Sequence, residues 1–399
     1  MRITFLTWRD TGHPDGGGSE LYVEEIARRL ASRGHDVTIL CARHPGSART
    51  SVEHDVRFLR RGGRLTVYPH GLLHLLTPTG RRQDVVVEVI NGLPFGARLV
   101  RRRGLVAVVH HLHEHQWRMI YPGLPGRIGW FVESRLTPLL YHRVPHVTVS
   151  ESTRRDLVSI GVPEDGIRIV LNGLTTSAVE EPRSPHPRMV VLARLVPHKR
   201  IEHAFEVLAA LRSEFMDLRL DVVGSGWWRD ELVSRARALG VDDLIVWHGH
   251  VSNEERDRLL ARAWVALLPS TNEGWGLSVI EAAAQGTPTV AYRDAGGVNE
   301  SILDRRTGFL VTGLDSALDV TRRLLNEPVR REEMAAAARQ HAAKFSWETS
   351  ALDLEALLVE VAGRGASVGA VADDRPLGRV GRRRRGLREN QAVGGDQRE

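Results

Sequence analysis

Two glutamates eight residues apart, Glu273 and Glu281, are the residues whose type and spacing best suit chemistry. Between them, the glycine-bearing loop 274–277 follows a short apolar run and opens a helix that we expect to end at Gly286. The free N–H groups and the positive dipole end of a helix N-terminus suit an anionic ligand such as phosphate. Carboxylates accept hydrogen bonds from the vicinal hydroxyls of a hexose or a ribose. The stretch therefore predicts a site for a sugar nucleotide.

This stretch resembles the E-x7-E motif of the retaining GT-B glycosyltransferases of family four, which use UDP- or GDP-sugars. The family's usual form is E-G-F-G-L…E-A-x-A-x-G-x-P-V, and this chain has E-G-W-G-L at 273–277 and E-A-A-A-Q-G-T-P-T-V at 281–290. The resemblance implies an α/β protein with two Rossmann-like, doubly wound domains facing a central cleft. It also implies transfer of a hexose from a nucleotide-sugar to a hydroxyl on a glycan, lipid or small molecule, with retention of the anomeric configuration.

A pair of cations, Arg194 and Lys199, lies in a loop between a predicted strand and a predicted helix. An arginine can bind two diphosphate oxygens at once, whereas a lysine acts as a point charge. The pair resembles the family's G-R-L-x-x-x-K pattern, with Ala193 in place of the leading glycine. The resemblance implies that both cations contact the donor diphosphate, although each alone is also consistent with a solvated surface charge.

The resemblance assigns catalytic roles to His110, Glu273, Arg194 and Lys199. It implies that Glu273 holds the hexose hydroxyls and that Glu281 holds the ribose diol. One histidine at the end of a first-domain strand is expected to reach the donor sugar, and His110 matches best, with His111 as the alternative. Loops that follow other strands, and the central motif itself, supply the remaining predicted donor-binding residues: Gly17, Gly18, Gly224, Ser225, Gly226, His248, Gly249, Val251, Gly274, Trp275, Gly276 and Leu277.

Four histidines in six positions, from His110 to His115, raise the alternative of a metal site, because imidazole is the commonest metal ligand. No matching set of cysteine or acidic ligands occurs elsewhere, and the chain contains no Asp-x-Asp. We therefore predict that no metal and no other cofactor is needed, with the nucleotide-sugar acting as co-substrate.

The elements that position these residues form a repeated strand–loop–helix pattern. The first strand, 2–7, runs into a glycine loop, a helix that stops at Gly34 and a second strand, 37–40, as in any doubly wound sheet. Cys41 closes the second strand where a dinucleotide-binding fold has an acidic residue, which argues against a dehydrogenase. Further strands are predicted at 56–59, 85–90, 105–109, 146–149, 167–170, 189–192, 218–223, 244–247, 264–268, 289–291 and 308–311.

Five segments follow from this pattern. We predict an acceptor-side domain at 1–179, a proline-rich linker at 180–188 and a nucleotide-sugar-binding domain at 189–345. The resemblance implies that a helix at 346–363 crosses back to the first domain. Residues 364–399 are rich in glycine and arginine and are expected to form a disordered basic tail.

Composition narrows the classes of partner. The chain has 399 residues, a net charge of +6 and one cysteine, which predicts a reducing compartment and no intrachain disulfide. We see no signal peptide and no apolar run of the ~20 residues that span a bilayer, so we expect a cytoplasmic protein. Most of the net positive charge lies in the tail and the folded body is near neutral, which argues against nucleic acid as a partner.

Basic clusters at 60–61, 81–82 and 98–103 raise the hypothesis of peripheral contact with an anionic membrane, with solvated loops as the alternative. Two other function classes stay open: a sugar-nucleotide epimerase or hydrolase on the same fold, and a non-catalytic GT-B binding protein. The sequence does not identify the donor's base, the donor's sugar or the acceptor, because single hydroxyl contacts and variable loops select them.

Overall fold

Two parallel sheets, largely buried on both faces, organise the chain. The computed structural model describes residues 1–175 and 178–370, without the side chains of His115 and 364–370. Central strands such as Val85–Val89 are buried at every position, as expected where helices cover both faces of a parallel sheet. In this described part the sheets have eight and six strands. The predicted doubly wound α/β class is confirmed.

The first sheet has the order β3-β4-β2-β1-β5-β6-β7-β8. All its pairs are parallel except the β3–β4 hairpin, whose polar and exposed first strand was not predicted. Its strands are β1 (Arg2–Leu6), β2 (Asp36–Cys41), β3 (Thr50–Glu53), β4 (Val56–Arg60), β5 (Val85–Val89), β6 (Leu105–Val108), β7 (His146–Thr148) and β8 (Ile167–Ile169). Its helices are α1 (Gly18–Ser32), α2 (Val67–Leu76), α3 (Pro78–Arg81), α4 (Ala97–Val100), α5 (Glu114–Ile120), α6 (Leu124–Phe131), α7 (Thr137–Tyr141) and α8 (Glu151–Ser159), with a π-helical turn at Val132–Leu136.

The second sheet has the order β11-β10-β9-β12-β13-β14 and is parallel throughout. Its strands are β9 (Arg188–Leu192), β10 (Arg219–Val223), β11 (Ile245–Gly249), β12 (Val265–Leu268), β13 (Thr289–Tyr292) and β14 (Gly308–Val311). The helices that follow are α9 (Glu202–Leu211), α10 (Arg229–Ala238), α11 (Asn253–Arg262), α12 (Leu277–Ala284), α13 (Val298–Ser301), α14 (Gly313–Asn326), α15 (Pro328–Ala342) and α16 (Trp347–Ala370). Each predicted strand is present, with ends that differ from the prediction by at most two residues.

The last helix, α16, belongs to the core of the first domain. Trp347, Leu354 and Leu358 are buried in the same apolar cluster as the first-sheet strands and α1. On the surface, the Glu355 carboxylate accepts from Arg33 Nε at 2.7 Å and lies 2.7 Å from His35 Nε2. The chain therefore returns to the first domain after completing the second.

One boundary of the last segment differs from the prediction. The helix continues to Ala370 rather than ending at 363, because a glycine inside a helix costs only about 1 kcal/mol and need not stop it. The rest of the predicted basic tail, 371–399, lies outside the described residues.

The predicted linker 180–188 contacts the second domain. Arg183 donates to the carbonyl oxygens of Ala263 at 2.5 Å and Gly286 at 2.8 Å, so this proline-rich segment is attached to the second domain. Leu174 instead forms a parallel bridge with Ser346. The segment that leaves the first domain and the segment that returns to it thus lie side by side at Leu174 and Ser346. Composition reports proline content and not what the backbone packs against, so it could not predict these contacts.

No helix within 1–175 and 178–370 is long and apolar enough to cross a bilayer.

Candidate active site

A cavity of about 730 Å³ lies between the carboxyl ends of the two sheets. This is the edge where open parallel α/β sheets bind ligands, because the strand-to-helix loops converge there. Fifteen of the seventeen predicted site residues line it: Gly17, Gly18, His110, Arg194, Lys199, Gly224, Ser225, Gly249, Val251, Glu273, Gly274, Trp275, Gly276, Leu277 and Glu281.

The two remaining residues are placed elsewhere. Gly226 lines a neighbouring cavity. His248 still belongs to strand β11, and its Nε2 lies 2.7 Å from Oδ1 of the buried Asp221. His250, two residues further on, lines the cavity instead. The prediction that His248 binds the donor is therefore corrected: the strand is longer than predicted, and its side chain is used inside the domain.

Trp275 belongs to a loop that lines the cavity, but its side chain is packed inside the protein. The indole is 2% exposed and packs edge-on against Phe345 with ring centroids 4.7 Å apart. Its packing fixes the loop that carries Glu273.

Lys199 and Glu273 form the central charged pair of the cavity. Lys199 Nζ lies 2.6 Å from Glu273 Oε1, and both side chains are mostly buried. Lys199 ends a short 3₁₀ turn after β9, and Glu273 precedes α12, so the pair joins two strand-end loops. Each residue was predicted to contact the donor separately, and their pairing with each other was not predicted from the sequence.

Arg194 lies on the other side of the cavity, against the glycine loop of the first domain. Its Nη1 is 3.4 Å from the carbonyl oxygen of Asp15, and a Cβ at Gly17 would lie 3.3 Å from its Nε. Burial lowers the pKa of Arg194, and Arg9 lowers it further. Arg194 is only partly buried, and within the described residues no carboxylate accepts a hydrogen bond from its guanidinium, so it is placed to bind an anion.

The N-terminus of α12 opens into the same space. Gly276 precedes the helix in the left-handed conformation, with φ 86°, and no side chain caps the first turn. Gly276, Leu277 and Ser278 all line the cavity. An uncapped helix N-terminus presents N–H groups and a positive partial charge, which favours a phosphate oxygen.

Glu281 lies one turn into α12, where it is held by a residue that the sequence analysis missed. Its Oε1 accepts from Arg256 Nη1 at 2.7 Å, and Arg256 also lines the cavity. Burial raises the pKa of Glu281, Arg256 lowers it and Asp257 raises it. Arg256 comes from the charge-rich helix α11, whose sequence is typical of a solvated face.

His110 follows strand β6 and is 6% exposed. Its ring lies edge-on to Tyr22 with centroids 5.0 Å apart. Within the described residues neither ring nitrogen has a hydrogen-bond partner, although the residue lines the cavity. Burial lowers the pKa of His110 to about 4, so the imidazole is neutral near pH 7 and offers one donor and one acceptor.

His111 and His113, from the same segment, have partners. His111 Nε2 lies 3.3 Å from Gln116 Nε2, and its ring is 4.4 Å from that of His113. His113 Nδ1 lies 2.9 Å from the buried carboxylate of Glu133. In the described ranges no group of three or more His, Cys, Asp or Glu side chains is arranged to hold a metal ion. His110 and His111 both line the cavity, and His110 is the one left with unpaired nitrogens.

A second cavity of about 460 Å³ adjoins the first and shares His111, Arg194 and His198 with it. Arg64 lies over the rings of Trp8 and Tyr121, at 5.6 Å from each centroid. This cavity was not predicted from the sequence, because its lining comes from loops far apart in the chain. Its aromatic side chains are Trp8, Tyr68, Trp117, Tyr121 and Trp227.

Contacts beside the cavities hold the two domains together. The Glu300 carboxylate accepts from the backbone N–H groups of Glu151 at 2.7 Å and Ser152 at 2.8 Å, in the first turn of α8. A Cβ at Gly274 would lie 2.6 Å from the carbonyl oxygen of His110, so only glycine allows this approach. The loop of the central motif is therefore pressed against the first domain.

Two Rossmann-like domains with a cleft between the carboxyl ends of their sheets define the GT-B class of glycosyltransferases. Residues 16–178 match the family model Glycosyltransferase Family 4, and residues 175–341 match Glycosyl transferases group 1. The chain belongs to this family of glycosyltransferases, as the central motif predicted.

Known proteins resemble the chain along most of its length. It is 26% identical over 409 residues to the D-inositol 3-phosphate glycosyltransferase of Arthrobacter sp. (strain FB24), covering 89% of this chain and 94% of the relative. It is 29% identical over 383 residues to the GDP-mannose-dependent alpha-(1-6)-phosphatidylinositol monomannoside mannosyltransferase of Mycolicibacterium smegmatis, covering 86% and 95%. The solved structure of sucrose-phosphate synthase from Thermosynechococcus elongatus superposes with a TM-score of 0.77 at 19% identity, covering 92% and 99%.

Proposed function

We propose that this glycosyltransferase moves a hexose from a UDP- or GDP-sugar to a hydroxyl acceptor with retention of the anomeric configuration. The observation that carries the proposal is the set of groups on one cavity: the Lys199–Glu273 pair, the Arg194 guanidinium and the uncapped N-terminus of α12. Together they provide positive charge for a diphosphate and a carboxylate for hydroxyl groups.

The diphosphate occupies the corner between Arg194, Lys199 and the first turn of α12. Negative charge develops on the leaving phosphate oxygen as the bond to the sugar breaks. Donors that are already in place stabilise this charge without reorganising, which is where such groups lower a barrier most. When the donor binds, we expect the Lys199 ammonium group to contact the phosphate as well as Glu273. The Glu273 carboxylate can then also accept a hydrogen bond from the hexose.

The two ends of the donor are held by different carboxylates. Glu281, oriented by Arg256, accepts from the ribose diol with the oxygen that Arg256 does not occupy. Glu273 accepts from the hexose hydroxyls, and the neutral His110 imidazole orients the sugar from the first domain. The M. smegmatis relative is GDP-mannose-dependent by name, which is compatible with this donor class.

The second cavity supports transfer over the two alternatives, an epimerase or hydrolase and a non-catalytic binding protein. It adjoins the donor cavity at His111 and Arg194, so an acceptor there would face the sugar end of the donor. Its aromatic rings suit stacking on a sugar or another flat group. Neither a hydrolase nor an epimerase requires such a second compartment.

Turnover assays separate these possibilities. Donor binding is found by thermal shift with UDP-, GDP- and ADP-sugars, since a ligand at 100 times its Kd adds about 2.7 kcal/mol of stability. Nucleotide release that requires an acceptor supports transfer, and release without any acceptor supports the hydrolase. The anomeric proton coupling of the product reports retention or inversion, and inversion would refute that part of the proposal.

Transfer is expected to survive excess EDTA, because two cations and a helix N-terminus already neutralise the diphosphate. Turnover is measured with the chelator, then with added manganese or zinc. A loss of turnover in EDTA that manganese restores would show that a metal is required. The histidine segment would then be the candidate metal site.

Arg256→Gln is expected to raise the donor KM with little change in kcat. The variant loses a hydrogen bond between charged groups that is worth roughly 1.5–3 kcal/mol. Arg256 also lowers the pKa of Glu281, so without it the carboxylate protonates at higher pH. The acid-side rise in donor KM should therefore begin at a higher pH than in the native enzyme, a shift that a merely structural role would not produce.

The matched control is Arg258→Gln on the same helix, where an exposed arginine pairs with Glu254. This variant should keep the native KM and the native pH profile. Equal effects of the two substitutions would contradict the positioning role of Arg256.

Action at the inner face of an anionic membrane is a further part of the proposal, but not every arginine of the basic clusters is available for it. Arg60 is buried and bound to Asp10 at 2.5 Å. Arg101 donates to the carbonyl oxygens of Gln83 and Gly104, at 2.6 and 3.1 Å. Two arginines of these clusters are thus used inside the first domain.

A further inference from the structure

The helical stretch 124–141 exposes apolar side chains on one face. It consists of α6, the π-helical turn Val132–Leu136 and α7. Leu124, Ile128, Phe131 and Leu139 are exposed at 67%, 54%, 54% and 78%. Their separations of four, three and eight residues correspond to about one, one and two helical turns, so they lie on the same side. We call these four residues the apolar stripe.

The opposite face of α6 shows that this orientation is fixed by packing. Gly126 and Gly129 are buried against Trp117, where a Cβ would lie 2.5 Å from its carbonyl oxygen and 2.4 Å from its ring, respectively. Helix α6 therefore buries its glycines and exposes its large apolar residues. A surface helix of a globular protein normally has the reverse arrangement, so the stripe is suited to a partner outside the chain.

The charges around the stripe select the kind of partner. Arg118, Arg127, Arg135 and Arg143 are all exposed, and only Arg118 has an ion pair in the described residues, with Glu114. Glu133 is the single acidic residue between 117 and 143, and it is buried on His113 and Trp117. The surface is thus apolar with a positive border. A second copy of the chain would bring arginines against arginines, whereas an anionic lipid surface complements both properties.

We propose that the apolar stripe docks on an anionic bilayer, with its side chains at the boundary between headgroups and acyl chains and its arginines on lipid phosphates. This surface lies beside the second cavity: Ile120 and Tyr121, just before α6, line that cavity, and Ile120 is 40% exposed. Docking would bring the cavity mouth to the membrane, so the acceptor hydroxyl belongs to an amphiphile anchored there. This last step, on the acceptor, rests on the proposed function.

Vesicle co-sedimentation of the full chain tests the docking. The vesicles contain phosphatidylcholine and phosphatidylglycerol in equal parts, with pure phosphatidylcholine for comparison. Ile128→Ser with Phe131→Ser should reduce binding to the anionic vesicles roughly tenfold, because both changes remove apolar area that enters the bilayer. Native binding should weaken with added salt and be slight on phosphatidylcholine. The basic tail is present in both proteins, so the difference belongs to the stripe.

The matched control is Val329→Ser with Val359→Ser, two apolar residues exposed at 73% and 55% on α15 and α16. This variant should bind vesicles like the native chain. Equal vesicle binding by the stripe variant and the native chain would overturn the proposal. So would a native dimer, detected by sedimentation, that the stripe variant converts to monomer without any change in vesicle binding.

Donor binding distinguishes failure of this proposal from failure of the proposed function. The stripe variant should keep the native thermal shift with the nucleotide-sugar, because the stripe lies outside the donor cavity. If docking holds but no nucleotide-sugar binds the native chain, the proposed function fails alone. If the donor binds but vesicles do not, the docking fails alone. Equal turnover of a water-soluble acceptor and its lipid-anchored form on vesicles would overturn the acceptor step.

Discussion

Lys199→Ala is expected to lower kcat by a factor on the order of 10²–10³, the effect of removing one preorganised group that stabilises developing charge. The variant loses the cation at the diphosphate and also leaves the Glu273 carboxylate without its partner at 2.6 Å. Both losses act at the reacting bond, because the pair joins the phosphate side of the cavity to the sugar side. The measurement is kcat at saturating donor and acceptor.

The matched control is the only other lysine of the chain, Lys344, which is exposed outside the cavity. Lys344→Ala should retain native turnover. Native kcat in Lys199→Ala would remove the diphosphate assignment. A lower melting temperature with unchanged kcat would show that the pair only stabilises the fold.

Glu273→Gln is expected to lower kcat by a factor on the order of 10². The hexose ring gains positive charge as the bond to phosphate breaks, so a carboxylate beside it interacts more strongly in the transition state than in the ground state. The substitution keeps the shape of the side chain and removes its charge. Binding of the free nucleoside diphosphate should be nearly unchanged, because that ligand has no hexose.

Glu281→Ala provides the contrast for this experiment. Its ribose contact is the same in donor and leaving nucleotide, so this variant should mainly raise the donor KM. It should also weaken the nucleoside diphosphate by about 1–3 kcal/mol. Calorimetry with the nucleoside diphosphate compares the two variants directly. Equal weakening in both would show that the two glutamates do not divide the donor as proposed.

The parts of the site that sequence reasoning found are those fixed by local rules. The strand, the glycine loop and the helix around Glu273 and Glu281 are one continuous segment, and helix starts and periodicity are legible over such a length. The parallel topology then places the other strand-end loops at the same edge. For this reason Arg194, Lys199 and His110 were brought to the cavity as predicted.

The parts that it missed depend on how distant segments meet. Arg256 looks like one more charge on a polar helix until α11 is placed beside α12. The aromatic lining of the second cavity comes from residues as far apart as Trp8 and Trp227. His248 was misplaced because a strand end shifted by two residues changes which side chain leaves the sheet. None of these contacts can be predicted from residues that are close together in the sequence.

Helix α16 has a consequence for the order in which the protein can be made. The ribosome releases α1 early, with Tyr22, Ile26 and Leu30 on a face that is fully buried in the finished molecule. Part of what covers the first domain comes from the last helix, which contributes Trp347 and Leu354 and emerges only after the whole second domain. The second domain can therefore complete its own core during synthesis, whereas the first must wait with an open apolar face. The first domain is made first and completed last, and its exposed apolar face is a site for aggregation while the chain grows.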